Sequence, residues 1–127
     1  MATKEVINSP AAPKPIGPYS QAIRSNGTLY ISGQIAIDQS TGMLITDNIE
    51  EETHQVMRNL NAILGEAGLT FNNIVKCSIF IKDMDQFAAI NAVYATYFSE
   101  SPPARETVEV VRLPKDVNVE ISAIAIK

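Results

Sequence analysis

The sequence predicts an α+β fold, a mixed sheet with two helices packed on one of its faces. Three observations carry that prediction. Strand-like and helical segments follow one another in the order β-β-α-β-α-β-β; residues 75–82 alternate between apolar and polar side chains; and residues 47–67 and 84–98 switch to helical spacing.

The first element is an arm. Ser9–Pro18 holds four of the seven prolines, so extended, irregular backbone is expected there. Tyr19–Ser25 and Thr28–Ile37 read as strands separated by Asn26-Gly27, a strong signal for a two-residue hairpin turn. From Asp47 to Ala67, Ile49, Thr53, Val56, Leu60, Ile63, Leu64 and Ala67 form one helical stripe. Asp47 and Glu50 have the spacing of a capping box, Glu51 and Glu52 suit the positive end of the helix dipole, and Gly68 provides a stop. Val75, Cys77, Ile79 and Ile81 then alternate with Lys76, Ser78, Phe80 and Lys82, as in a strand with one face on a core.

A second helix is expected from Met84 to Phe98, with Phe87, Ile90, Tyr94, Tyr97 and Phe98 at helical intervals and Pro102-Pro103 as its stop. Thr107–Arg112 and Val117–Ile126 read as two further strands, joined by Leu113–Asp116 in an antiparallel hairpin. In the last strand Val117, Val119, Ile121, Ala123 and Ala125 face one way and Ile124 and Ile126 the other. Apolar residues on the second face call for a cover, which another copy of the chain would supply.

Composition limits the function classes. A chain of 127 residues suits one domain, spanning 1–127, and 46% hydrophobic with 19% charged residues is ordinary for a soluble globular protein. No apolar run approaches the roughly 18 residues of a membrane span, and Met1–Ile7 has the pattern of neither an export nor a transit signal. Cys77 alone cannot form an internal disulfide, which fits a reducing, cytoplasmic setting. One cysteine and one histidine, His54, cannot furnish a zinc set, and no signature ties His54 to a nucleophile, so no metal is expected. The net charge of −4 and scattered basic residues argue against nucleic acid as a partner.

The residues that could carry chemistry lie mostly late in the chain. Arg105 follows Pro103-Ala104, and its guanidinium fork suits a carboxylate or a phosphate, although a surface ion pair is the plainer reading. Glu120 sits between Val119 and Ile121, where an inward carboxylate must be paired or shifted in pKa. A hairpin pairing Arg112 with Val117 sets Arg105 opposite Ile124, on the same face as Glu120 and about 13 Å along the strand. The same register sets Glu109 opposite Glu120, so a solvated charge row is the competing reading. Asn91 interrupts the apolar stripe of the second helix, Tyr19 follows the proline-rich approach, and Ser32-Gly33-Gln34 breaks a strand with a glycine that suggests a bulge or a close backbone approach.

In combination these segments resemble a known family. Ile16-Gly17-Pro18-Tyr19-Ser20-Gln21, Ser32-Gly33-Gln34-Ile35, Asn91, Pro103-Ala104-Arg105, Arg112-Leu113-Pro114-Lys115-Asp116 and Val119-Glu120-Ile121 are similar, in order and spacing, to the Rid family of reactive enamine/imine deaminases, formerly grouped with translation inhibitors. The resemblance implies a chorismate-mutase-like fold, a homotrimer with three clefts between subunits, and no metal or organic cofactor. It also implies hydrolysis of 2-aminoacrylate, 2-iminopropanoate and 2-iminobutanoate to 2-keto acids and ammonia, protecting pyridoxal-phosphate enzymes from damage. On this chain Arg105 would bind the substrate carboxylate and Glu120 would position or activate water, with Tyr19, Ser32, Gly33, Asn91 and Thr107 lining the cleft. Thr107 stands where many relatives carry cysteine. Rival readings are a nonenzymatic sensor of small carboxylates and an RNA-cleaving translation inhibitor.

Overall fold

The computed structural model describes residues 3–127; Met1 and Ala2, the start of the segment read for a leader, lie outside it. Six strands form the main sheet: β1 (Glu5–Ile7), β2 (Ala22–Ser25), β3 (Thr28–Gln34), β6 (Ile74–Ile81), β7 (Ala104–Glu109) and β8 (Val119–Ile126). Their spatial order is β1-β2-β3-β8-β6-β7. The short strands β4 (Ile37–Asp38) and β5 (Met43–Leu44) pair separately, and helices α1 (Ile49–Glu66) and α2 (Phe87–Ala95) pack on one face of the main sheet.

The expected first hairpin forms, with shorter strands. β2 begins at Ala22 rather than Tyr19 and β3 ends at Gln34, and the turn between them holds Asn26 and Gly27 at φ of 52° and 80°, the left-handed pair that such a turn requires. The strand β1, which the sequence reading passes over, extends the sheet beyond the hairpin. The arm is tied down by Gln21, whose buried amide receives the Ser9 N–H at 2.7 Å and donates to the carbonyls of Ser9, Ala12 and Pro13.

Helix α1 starts one residue later than its expected capping box. Asn48, not Asp47, is the cap, its side-chain oxygen accepting the Glu51 N–H at 2.8 Å. Val56, Met57, Leu60, Ile63 and Leu64 have no exposed surface, each worth about 1.5–3 kcal/mol of burial. Gly68 takes φ of 76° just past the end, and Arg24, paired with Glu5, donates to the Ala67 carbonyl at 2.8 Å. In β6 a bulge between Ile74 and Lys76 turns Ile74 inward and leaves Val75 exposed, against the expected alternation. Helix α2 is shorter than its apolar pattern. Met84–Gln86 form a 3₁₀ turn, and the helix ends at Ala95, before the prolines, with Tyr97 and Phe98 continuing into an aromatic cluster with Phe71 and Tyr94. His54 is part of this packing, with Nδ1 2.7 Å from the Tyr97 hydroxyl.

The largest departure concerns the last two strands, which do not form a hairpin. β7 runs parallel to β6, connected through α2, and β8 is inserted antiparallel between β3 and β6. A strand–helix–strand connection favours this crossover, and the two longest strands, β6 and β8, both largely apolar, lie side by side within the sheet. Its register sets Glu120 opposite Phe80, not Glu109, and Arg105 pairs with Cys77 on β6. Leu113–Asp116 forms a turn in which Lys115 and Asp116 both adopt φ of 56°, stabilised by the Arg112–Asp116 ion pair at 2.7 Å.

Candidate functional site

The sheet has two faces, and the expected site residues divide between them. Val119, Ile121, Ala123 and Ala125 point beneath the helices, so Glu120, Ser122, Ile124 and Ile126 lie on the other face. Arg105 shares its face with its register partner Cys77, which is buried under the helices. Arg105 and Glu120 therefore stand on opposite faces of one chain, two strands apart rather than on neighbouring segments.

On the helix-covered face, α2 prepares the guanidinium of Arg105. Phe87, Asn91 and Tyr94 recur at helical spacing and meet the side chain as it leaves the edge strand β7. Asn91 Oδ1 accepts a hydrogen bond from Arg105 Nη1 at 2.7 Å, and the guanidinium carbon lies 5.0 Å from the Tyr94 ring centre and 5.6 Å from that of Phe87. Among the described residues no carboxylate pairs with Arg105. Asn91, Tyr94, Phe98, Pro103 and Arg105 line an open hollow of about 460 Å³. Thr107, two residues along β7, has a buried hydroxyl without a hydrogen-bond partner. Burial raises the pKa of both Cys77 and Tyr94, which leaves each neutral at ordinary pH.

On the other side, Glu120 lies in a groove of about 390 Å³ formed by the arm, the β3 bulge and Pro114. Register breaks between Ile31 and Gln34, and Gly33 at that bulge lies against the Glu120 side chain. A Cβ built on Gly33 would overlap Glu120 Oε2 and stand 2.9 Å from its Cδ, so the close approach requires glycine. Ser32 donates its hydroxyl to the Ser20 carbonyl at 2.6 Å, which holds the bulge to the arm, and Tyr19 stands half-exposed at the groove wall. Burial pushes the Glu120 carboxyl above the usual glutamate range.

The structure thus gathers Tyr19, Ser32, Gly33 and Glu120 at one groove and Asn91 and Arg105 at another, while Thr107, expected to line the same cleft, lies two residues along β7 from Arg105 and outside the lining of either. The sequence reading assigned no site role to Phe87 and Tyr94, although their spacing from Asn91 was the available signal, or to Pro114 at the groove edge. Among the described residues no group of three or more His, Cys, Asp or Glu side chains converges as a metal site, and no helix is long and apolar enough to cross a membrane.

The profile of the Endoribonuclease L-PSP family matches residues 9–127. A RutC family protein of Pyrococcus horikoshii is 55% identical over 98% of both chains. A mouse 2-iminobutanoate/2-iminopropanoate deaminase is 45% identical, covering 98% of this chain and 92% of its own. The crystal structure of Escherichia coli TdcF with bound serine superposes with a TM-score of 0.93 at 38% identity, over 97% of this chain and 98% of that one. The chain belongs to the Endoribonuclease L-PSP family, whose members include RutC and Rid proteins and share the chorismate-mutase-like fold.

Proposed function

We propose that the chain hydrolyses small 2-imino and enamine acids to 2-keto acids and ammonia, in clefts that combine Arg105 of one copy with Glu120 of another. The observation that carries this reading is the separation of the two residues on opposite sheet faces, Arg105 oriented by Asn91 on one and Glu120 resting on Gly33 on the other. The names of the mouse and human deaminases support the substrate class, and the serine bound to TdcF supports recognition of a small carboxylate. Exposed apolar side chains on the uncovered face, Tyr30 and Ile126 among them, support assembly of copies, and the homotrimer implied by the family is the arrangement proposed.

The chemistry demands little of the protein, because the imine carbon is already electrophilic. Arg105 holds the carboxylate in a two-pronged contact, with Asn91 occupying one guanidinium nitrogen and fixing the fork's orientation. An enamine substrate first takes a proton from solvent at C3, its C=C pair forming the new C–H bond as the nitrogen lone pair forms C=N, to become the iminium. Water then adds to C2: the new C–O bond forms as the C=N π pair moves to nitrogen, and the ionised Glu120 takes the water's proton. Glu120 returns that proton to nitrogen. The C–N bond breaks with its electron pair on nitrogen, releasing ammonia, while the ionised Glu120 accepts the hydroxyl proton as the C=O bond forms; that proton passes to ammonia, giving the 2-keto acid and ammonium and restoring the carboxylate. A carboxyl pushed upward by burial is suited to this exchange, because both its forms are accessible closer to neutral pH.

Mixed oligomers test the proposal. Arg105→Ala and Glu120→Gln are each expected to be inactive toward 2-aminoacrylate generated in place by a serine dehydratase. After the two variants exchange subunits in equal amounts, about a quarter of the clefts combine two intact residues, so about a quarter of wild-type turnover should return. Light scattering should give a mass near three times 13.8 kDa. A monomer, or mixtures that remain dead despite exchange, would overturn the shared cleft. RNA cleavage that survives purification while imine turnover is absent would overturn the substrate class.

A further inference from the structure

Glu52 is the only acidic side chain in the buried set among the described residues, and nothing in the proposed reaction uses it. It lies in the first turn of α1, where an acid ordinarily faces water beside the helix dipole, yet it turns toward the sheet. Its Oε2 accepts the backbone N–H groups of Asn118 at 2.7 Å and Val119 at 3.3 Å, and its Oε1 accepts from Asn118 Nδ2 at 2.7 Å. On the other side the Asn118 carbonyl accepts the Lys82 N–H at 3.0 Å. Asn118 is therefore held through its N–H, side chain and carbonyl.

The segment needs such a hold. Lys115 and Asp116, just before it, are consecutive non-glycine residues in the left-handed region, a conformation that costs free energy and relaxes once its surroundings stop enforcing it. Two residues beyond Asn118 is Glu120, resting on Gly33. We propose that Glu52 is a positioning residue: its buried carboxylate clamps the backbone at Asn118–Val119 so that the strained turn delivers Glu120 onto Gly33. The catalytic consequence rests on the deaminase reading; the geometric one does not.

A carboxylate suits this task because it accepts several N–H groups and donates none. Glutamine keeps one oxygen for the two backbone donors, and its amide faces Asn118, whose own side-chain amide can flip to accept it. Glu52→Gln should preserve the clamp and Glu52→Ala should abolish it. Lys14 and Tyr19 of the arm are the other titratable groups lining the groove, Phe80 is the β6 neighbour of Glu120, and all are common to the variants compared.

The test is a carbon-13 NMR titration of the glutamate carboxyls, with the Glu120 signal identified by its loss in Glu120→Gln. In Glu52→Ala the Glu120 midpoint should fall toward that of an ordinary exposed glutamate, while Glu52→Gln should stay near wild type. Turnover in Glu52→Ala should drop about tenfold to a hundredfold with KM little changed, because the Arg105 contact is untouched. Should Glu52→Ala fail to fold, Asn118→Ala, which removes one of the three bonds, should move the midpoint part of the way. An unmoved Glu120 midpoint in a folded clamp variant, or equal loss in Glu52→Gln and Glu52→Ala, would overturn the proposal. If wild-type protein turns over no imine, the deaminase reading fails while the titration still reports on the clamp.

Discussion

Gly33→Ala isolates the contact between the β3 bulge and Glu120. Gly33 does not occupy the left-handed region, so alanine meets no backbone strain, and reduced freedom in the unfolded chain would by itself stabilise the variant by about 0.4–1 kcal/mol. The cost comes from the side chain opposite. The new methyl would overlap Glu120 Oε2 and sit 2.9 Å from Cδ and 3.1 Å from Cγ. These atoms end a flexible side chain at the groove, so Glu120 can rotate away, and the net destabilisation should stay within about 1–2 kcal/mol, the low end of overpacking. Turnover should fall far more. Displacing the carboxyl should remove most of the about 10²–10⁴-fold supplied by a positioned acid/base, measured as keto acid released from dehydratase-generated 2-aminoacrylate. Urea unfolding of Gly33→Ala, Glu120→Ala and the double variant should show the alanine penalty vanishing when Glu120 is absent. Wild-type turnover in Gly33→Ala, or the same penalty in both backgrounds, would refute the role assigned to this contact.

Three further outcomes are expected. Arg105→Lys should lose nearly as much turnover as Arg105→Ala, about 30- to several-thousand-fold or about 2–5 kcal/mol, because an ammonium cannot make a two-pronged contact; near wild-type rates in the lysine variant would reduce Arg105 to a source of positive field. The folded-state pKa of Glu120 lies above its ordinary value, so its stabilising contribution is present below the unfolded pKa and lost as pH rises through the folded one. The thermal stability of Glu120→Gln relative to wild type should accordingly improve as pH is raised from about 4 to about 8, and a gain independent of pH would contradict the burial argument. Gln21→Ala should free the arm and cost about 2–4 kcal/mol in urea unfolding, since four hydrogen bonds at buried or half-buried backbone are lost; a loss below about 1 kcal/mol would mean the arm is held by its prolines.

Local rules were sufficient where the determining contacts are local. Asn26-Gly27 forms a left-handed turn because of its own conformational preferences, and the α1 stripe buries its residues because helical spacing puts them on one side. Boundaries shifted where a neighbour could perform the same task. Asn48 displaced Asp47 as a cap with an equivalent side-chain oxygen, and α2 yielded to a 3₁₀ turn at its start without moving Phe87 or Ile90 from the core side. Glu52 was legible only as a helix-dipole residue, since its true partners lie at Asn118 and Val119, more than sixty positions away.

The site was legible as residue types and illegible as an arrangement, for one geometric reason. Within a strand, alternation fixes which residues share a face; between strands, register alone relates those faces, and a shift of one residue exchanges them. A hairpin joining the last two strands pairs Arg105 with Ile124 and sets it on the same face as Glu120, four residues along the strand. In the structure Arg105 pairs with Cys77 and Cys77 with Ala123, one residue away from that alignment. Arg105 consequently turns under α2, where Asn91 and Tyr94 receive it, and Glu120 turns to the opposite groove. Insertion of β8 at the centre of the sheet thus divides between two faces what reads as one site, and the shared cleft proposed above is the arrangement that would rejoin Arg105 and Glu120.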